Sequence, residues 1–330
     1  MSSVEAPIPV DRRPLAGRRF NVGDATLKVV AGAAGVAAVV LVALIAYRVV
    51  YGAWPAIDRF GFAFLGRVAW DPVKNVYGAA SFLFGTAVTS LFALALATPL
   101  AIGIALYLTE LAPRFLRGPV TALVEMLAAV PSVVIGLWGI LVLGPQLKQH
   151  IEPWLHSGLG WIPLFGAPSQ SSSSVFTAVV VLTIMILPIV ASITRELFLG
   201  VPSDLKEGAL ALGMTRWEMV RGVVFPYARA GIAAAMILGL GRAVGEAIAV
   251  TQVIGSGVSI QWNLFGTGDT LASKIASSFQ GATNDIQIAS LFYLAVILLV
   301  FSLIANLSAQ WIVRRVARRH SVGTRRGALG

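Results

Sequence analysis

A stretch near the middle of the chain, residues 175–194, reads VFTAVVVLTIMILPIVASIT and contains no charged residue. A helix of about 20 residues rises about 30 Å, which matches the hydrocarbon thickness of a bilayer. Of the whole 330-residue chain, 57% is apolar and 12% is charged, whereas about 25% of a typical globular domain is charged. So few charges cannot cover so much apolar surface in water. The composition therefore predicts an all-α integral membrane protein and argues against a secreted or cytosolic enzyme.

Six stretches are long and apolar enough to cross a membrane once each. The predicted spans are residues 29–48, 80–108, 120–143, 175–194, 231–255 and 288–313. They make up a six-helix transmembrane domain, residues 29–313, between an N-terminal arm at 1–28 and a basic tail at 314–330. A long loop at 195–230 joins the fourth and fifth spans. With six spans, both termini lie on the same side of the membrane.

The positive charges are distributed unevenly between the two sides of these spans. Of the 25 Lys and Arg residues, 18 lie in the arm, the loop between spans two and three, the 195–230 loop and the tail. Because positively charged loops stay in the cytoplasm, we predict that both termini are cytoplasmic. This topology accounts for the net charge of +10 without a nucleic-acid partner.

The sequence offers no candidate for a bound cofactor or metal. It contains no cysteine, and its three histidines lie outside the spans, too scattered for a metal site. None of its lysines completes the phosphate-binding loop G-x-x-x-x-G-K-[ST], so this chain is not expected to bind ATP in the usual way. An ATP-driven process would need a separate ATPase chain.

The cytoplasmic loop at 195–230 carries signals for two short helices joined by a tight turn. In chain order they are a hydroxyl N-cap at Ser203, an acid at Asp204, a left-handed glycine at Gly213, a capping box of Thr215 and Glu218, and a helix stop at Pro226. Leu210, Met214 and Trp217 are expected to give this loop an apolar patch. It is either an amphipathic surface helix on lipid headgroups or a docking element for a cytoplasmic partner.

The fifth predicted span contains two charges, Arg242 and Glu246. Each costs about 2.5–3.5 kcal/mol at the centre of a membrane, and their spacing places them on one helix face. Gly241 and Gly245 form a G-x-x-x-G step that would let another helix approach. The charges are either a self-neutralising structural pair or an anion-pathway site, in which arginine offers donors and glutamate orients or gates it. The Arg-then-Glu order favours partners outside this helix.

The third span contains one charge, Glu125, six residues before Pro131. A structural role, with its carboxylate reaching the interface, is the favoured interpretation, and Glu125 is also kept as a candidate pathway residue. Pro131 and Pro188 are expected to bend their helices beside a cavity.

The 195–230 loop resembles the cytoplasmic signature of ABC importer permeases, which reads E-A-A, three residues, G, nine residues, I-x-L-P. Glu207-Gly208-Ala209, Gly213 and Val223-x-Phe225-Pro226 keep that spacing. The departures are Gly208 for alanine, Val223 for isoleucine and Phe225 for leucine. The resemblance implies a MetI-like permease fold whose coupling helices seat in a groove of the ATPase subunit. The implied coupling residues are Glu207, Gly208, Ala209, Gly213, Met214, Thr215, Trp217 and Pro226.

Two further segments resemble the PstC-type permease subunit of phosphate-specific ABC importers. They are residues 239–246, GLGRAVGE, followed by Ala249-Val250-Thr251, and residues 131–139, PSVVIGLWG. In that family the arginine and glutamate of the fifth span are implicated in phosphate passage, which implies Arg242 and Glu246 here. We add Thr251 as a pathway residue. The resemblance covers roughly residues 75–315.

This resemblance implies the permease subunit of an ATP-driven phosphate importer that itself catalyses no reaction. Its implied partners are a second, PstA-type permease, a PstB-type ATPase dimer and an external PstS-type phosphate-binding protein. The alternatives are a permease for sulfate or molybdate, a proton- or sodium-driven anion transporter, and a non-transporting assembly or sensor subunit. The paired-helix loop and the absence of internal repeats argue against a secondary transporter.

Overall fold

The computed structural model describes residues 22–326, with side chains described over 26–311 and at Val313. The predicted arm at 1–28 therefore lies largely outside the described residues. Helices make up most of the described chain, and no strand longer than the isolated bridge between Asp71 and Val76 forms within it. The helices, in chain order, are α1 Val22–Phe60, α2 Ala63–Gly66, α3 Ala80–Leu111, α4 Arg114–Ala129, α5 Ser132–Leu159, α6 Val175–Leu199, α7 Ser203–Ala211, α8 Arg216–Gly245, α9 Ile248–Val253, α10 Leu271–Ser278 and α11 Asp285–Arg326.

Five of the described helices are long and apolar enough to cross a membrane: α1, α3, α6, α8 and α11. The bent pair α4 and α5 supplies a sixth span if it is taken as one. The chain divides into two units, Met1–Arg48 and Val49–Gly330, with the boundary inside α1. In the first unit the apolar side chains of α1 are exposed, for example Val29 and Val39 at 70% each, as expected of a helix surface that contacts lipid.

The core of the second unit is built where α3, α6 and α8 pack together. Small residues on α3, Ala93 and Ala97, are fully buried against Leu182 and Ile186 of α6. On α8, Gly239 faces Val190 of α6 so closely that an added Cβ would lie 2.9 Å from the valine Cγ2. Small residues at such crossings let backbones approach in the membrane. The predicted close approach at Gly241 and Gly245 is thus centred instead on Gly239.

The third predicted span, residues 120–143, is not one straight helix. Helix α4 ends at Ala129, Val130 is extended with ψ 128°, and α5 leaves at an angle of 94°. The residue before a proline is disfavoured in the helical region, and Pro131 therefore produces the predicted bend. Pro188 lies inside α6, which is unbroken from Val175 to Leu199.

The predicted helix stop at Pro226 is wrong, because α8 continues through it to Gly245. A π turn at Val220–Val224 precedes the proline, and the N–H of Phe225 bonds to the carbonyl of Val220. The wider turn accommodates a residue that lacks an N–H and carries a bulky ring.

The turn between α7 and α8 forms largely as predicted. Gly213 has a φ of +84°, and the N–H groups of Gly213 and Met214 bond to the carbonyls of Leu210 and Ala209, which is a Schellman motif. The capping box of Thr215 and Glu218 is present with both of its hydrogen bonds. The start of α7 also differs from the prediction. Pro202 is the N-cap and makes no side-chain bond, whereas Ser203 is already helical.

Helix α9 packs on α5 through two glycines of α5. A Cβ on Gly136 would lie 2.8 Å from the Cα of Ala249, and one on Gly139 would lie 2.9 Å from Cγ1 of Val253. The two sequence segments that resemble the PstC-type subunit therefore meet in space, and glycine permits the contact.

We expect Gly136→Ala to destabilise the protein by about 1–3 kcal/mol, because the new methyl group meets backbone that cannot move aside. Thermal unfolding in detergent, followed by tryptophan fluorescence, measures the change. Gly118→Ala in α4 is the matched control, since no atom lies within 4 Å of its added Cβ. Equal melting temperatures for both variants would contradict this packing.

Candidate translocation site

The fifth predicted span, residues 231–255, breaks at Glu246. Helix α8 ends at Gly245, Glu246 is extended with φ −71° and ψ 117°, and α9 starts at Ile248. The Glu246 carboxylate oxygen Oε1 accepts a hydrogen bond of 3.3 Å from the N–H of Ala249. This bond satisfies one of the free N–H groups at the start of α9. The prediction of one continuous helix is therefore wrong, and the break places a carboxylate at the junction of two helices.

Arg242 and Glu246 face each other across this break. Arg242 Nη2 lies 3.4 Å from Glu246 Oε2, and the arginine side chain is 47% exposed whereas the glutamate side chain is 6% exposed. The two residues pair with each other rather than with other helices, contrary to the expectation from their order. That expectation applies to a regular helix, and here the backbone unwinds at Glu246. The buried carboxylate therefore holds a guanidinium that remains accessible.

Arg242 borders a groove of about 510 Å³ between α6, α8 and α11. The groove is lined by Ile189, Ala234, Ile237, Leu238, Gly241, Arg242 and Asn306. Apart from Arg242, Asn306 is the one polar side chain in this lining, and it lies opposite Gly241, whose added Cβ would be 3.8 Å from the Asn306 Oδ1. A guanidinium and an amide on apolar walls provide hydrogen-bond donors suited to an oxyanion.

The other two predicted pathway residues do not join this groove. Thr251 on α9 donates a 2.7 Å bond to the carbonyl of Ala247 and lies 3.4 Å from the carbonyl of Ser273 on α10. Glu125 on α4 is exposed and borders a separate cavity of about 10 Å³ that Arg195 also lines. The structure thus brings together Arg242 and Glu246. It also adds Asn306 to the candidate site, a residue that was not predicted because the last span contains no charge to mark it.

A buried carboxylate on the segment between α9 and α11 was also missed by the sequence analysis. Asp269 is 1% exposed and lines a cavity of about 110 Å³. Its Oδ1 accepts a 2.9 Å bond from the N–H of Thr270, whereas Oδ2 has no hydrogen-bond partner. Burial raises the pKa of Asp269 above its ordinary value, and the Ser273 side chain, the Lys274 charge and the Thr270 N–H oppose this to a smaller extent.

Because the folded pKa of Asp269 is raised, its contribution to stability is greatest below its unfolded pKa, near 3.8, and is lost as pH rises through the folded pKa. Asp269→Asn does not titrate. We therefore expect the melting temperature of this variant to rise relative to wild type as pH increases from about 4 towards 8. A constant difference across that range would contradict the assignment, as tested by unfolding scans at stepped pH.

The turn between α7 and α8, which the charge distribution predicts to be cytoplasmic, presents an apolar surface. Leu212 is 83% exposed, Trp217 is 65% exposed and Met214 is 41% exposed, beside exposed Glu207 and Gly208. Ala209 has the opposite orientation. It is buried with Met219 and Val220 and fixes α7 on the first turns of α8. Of the predicted coupling residues, Ala209 thus lies in the packing beneath the surface, whereas Pro226 is exposed on α8. The exposed apolar side chains of the turn are available for a partner.

Comparison with known proteins identifies the family. A profile described as "Binding-protein-dependent transport system inner membrane component" matches residues 97–318. The phosphate transport system permease protein PstC of Mesorhizobium japonicum is 40% identical over 325 residues, which cover 97% of this chain and 99% of that protein. PstC of Haemophilus influenzae is 41% identical, covering 84% of this chain and 89% of that protein.

A solved structure supports the fold independently. A bacterial alginate ABC transporter, in complex with a periplasmic protein bound to alginate pentasaccharide, contains a chain that superposes with a TM-score of 0.61 at 16% identity. The match covers 89% of this chain and 97% of that chain. The predicted all-α, MetI-like permease architecture is thereby confirmed. The chain belongs to the PstC-type permeases of the binding-protein-dependent transport systems and is an integral membrane subunit of an ABC importer.

Proposed function

We propose that this chain forms half of the translocation pathway of an ATP-driven phosphate importer, with Arg242 as the group that lowers the cost of passage for the anion. The observation that carries the proposal is the accessible Arg242 guanidinium, held by buried Glu246 on the wall of a groove otherwise lined mainly by apolar residues. A fixed positive charge there offsets part of the free energy that an oxyanion loses when it leaves water. The names of the relatives supply the substrate, phosphate.

Glu246 orients the site in this proposal. One carboxylate oxygen is bound to Arg242 and the other to the first turn of α9, so a shift of α9 relative to α8 would move the guanidinium. Phosphate would replace the carboxylate as partner of Arg242 only transiently. A site that releases its ion must bind weakly, and the competing Glu246 keeps the affinity low.

The assembly we propose follows the ABC importer plan. A second, PstA-type permease completes the pathway, an external PstS-type protein delivers phosphate, and a PstB-type ATPase dimer binds the apolar cytoplasmic turn. The ATPase hydrolyses ATP, and this chain catalyses no reaction itself. The termini and the turn lie in the cytoplasm, the chain resides in the bacterial plasma membrane, and transport proceeds by alternating access. Thr251 affects passage of the anion indirectly, because its hydrogen bonds fix the position of α9. Glu125 also acts indirectly, from the exposed surface of α4.

Uptake of radiolabelled phosphate tests this function in cells that lack the chain. We expect wild type to restore uptake and excess unlabelled sulfate to leave it unchanged. Uptake that sulfate abolishes would instead support the sulfate or molybdate importer. Failure to restore any uptake, with the chain present in the membrane, would overturn phosphate as the substrate.

A further inference from the structure

One ion pair joins the cytoplasmic turn to the membrane-spanning helices. Lys206 of α7 places its Nζ 2.6 Å from Oε1 of Glu110, 96 residues earlier in the chain. Glu110 lies in the π turn Tyr107–Leu111 that ends α3. The two side chains are only 19% and 13% exposed, so the pair is largely shielded from water.

The same two residues also reach the neighbouring helices. Lys206 Nζ donates a 3.2 Å bond to the carbonyl of Phe198, near the end of α6. Arg216, in the first turn of α8, donates a 3.4 Å bond to the backbone carbonyl of Glu110. Phe198 is fully buried and packs edge to face on Phe225 of α8. The ends of α3, α6, α7 and α8 therefore converge on a single charged contact.

The physical character of this contact suits the transmission of force. A shielded ion pair cannot be broken cheaply, because separating its partners leaves an uncompensated charge away from water. Packing of Ala209 on Met219 and Val220 holds α7 to α8, and Leu106 of α3 packs against the same cluster. The Lys206–Glu110 pair adds a charged contact between α7 and α3. Removing the pair would leave only apolar packing between these helices, so that α7 could shift on α8 with less movement of α3.

We propose that Lys206 and Glu110 form a strut that holds α7 on the end of α3 throughout the transport cycle, so that movement imposed on the cytoplasmic turn reaches the groove. Both are positioning residues, since neither lines the groove nor belongs to the exposed apolar surface. The proposal rests on the proposed function only in requiring an ATPase partner, and it is independent of which anion is carried.

A test that does not depend on the substrate uses the groove itself as reporter. The chain has no cysteine, so Leu238→Cys gives it a single thiol. Leu238 lines the groove and is 56% exposed. In the complete reconstituted complex, we would measure the rate at which a maleimide modifies this cysteine, with and without vanadate-trapped nucleotide. Phosphate uptake and ATP hydrolysis are recorded in parallel.

With the native pair we expect trapping to change the modification rate about fivefold or more, the lower end of coupling between distant sites. Lys206→Met and Glu110→Gln should each remove this change and phosphate uptake while the ATPase still co-purifies and hydrolyses ATP. The exchanged pair, Lys206→Glu with Glu110→Lys, should restore both. Glu196→Gln is the matched control, because it removes an ion pair of the same 2.6 Å length whose glutamate is 67% exposed.

Unchanged reporter behaviour in the single variants would overturn the strut, as would an exchanged pair that restores nothing. A modification rate that does not respond to nucleotide in the native complex would also overturn it, since no movement of the cytoplasmic turn would then reach the groove. If the native complex responds to nucleotide but carries no phosphate, the proposed substrate fails while the strut is judged on the variants alone. Loss of folding in a single variant leaves the exchanged pair to decide.

Discussion

Arg242→Gln is expected to lower phosphate uptake about 100-fold. Placing a charge at the centre of a membrane costs about 2.5–3.5 kcal/mol, and the variant no longer offsets a cost of that size for the anion. Each 1.4 kcal/mol corresponds to a tenfold change in rate. Glutamine keeps hydrogen-bonding capacity but loses the positive charge that faces the groove. It also leaves Glu246, 6% exposed, without its cationic partner. Initial rates of radiolabelled phosphate uptake, normalised to the amount of chain in the membrane, measure the effect.

Two further variants separate the charge from the packing. Arg242→Lys should keep part of the uptake, since it preserves the charge without the planar donor fork. Arg242→Gln combined with Glu246→Gln removes both charges and should insert normally yet remain inactive. Recovery of full uptake in that double variant would show that the arginine merely neutralises the glutamate, and the groove would lose its role in passage.

Trp217→Ala is expected to weaken binding of the ATPase by at least about tenfold, because a buried tryptophan anchor at an interface is commonly worth 2 kcal/mol or more. Trp217 is 65% exposed on the turn that we place in the cytoplasm, between Thr215 and Glu218 of the capping box that fixes the start of α8. The loss should appear in retention of the ATPase during affinity purification and in ATP-dependent uptake, with little change in the amount of membrane-inserted chain.

Trp161→Ala provides the matched comparison, as this tryptophan is 80% exposed and lies outside the predicted cytoplasmic surface. It should leave ATPase retention at the wild-type level. If both variants bound the ATPase equally well, the apolar cytoplasmic turn would be a lipid-facing surface rather than a docking element.

Features that depend on a few consecutive residues were the ones the sequence predicted well. The capping box at Thr215 and Glu218 and the left-handed Gly213 follow from local backbone rules and are present as predicted. The membrane class follows equally directly from composition. Helix continuity was harder, because the π turn before Pro226 and the break at Glu246 depend on contacts with other helices.

The candidate site shows the same division. Two charges in an apolar span are conspicuous in any sequence, and Arg242 and Glu246 were therefore found. Asn306 is one neutral polar residue in a long apolar helix, and only its position opposite Gly241 reveals its place in the groove. The partnership of Lys206 with Glu110 spans 96 residues, and no local pattern marks it.

Transport by the purified complex in liposomes most directly tests whether ATP drives phosphate past Arg242. Radiolabelled phosphate or sulfate is presented outside together with the external binding protein, and ATP is enclosed inside. We expect ATP-dependent accumulation of phosphate, little accumulation of sulfate, and loss of phosphate accumulation in Arg242→Gln. Accumulation that continues without ATP, or that is equal in wild type and Arg242→Gln, would contradict this expectation.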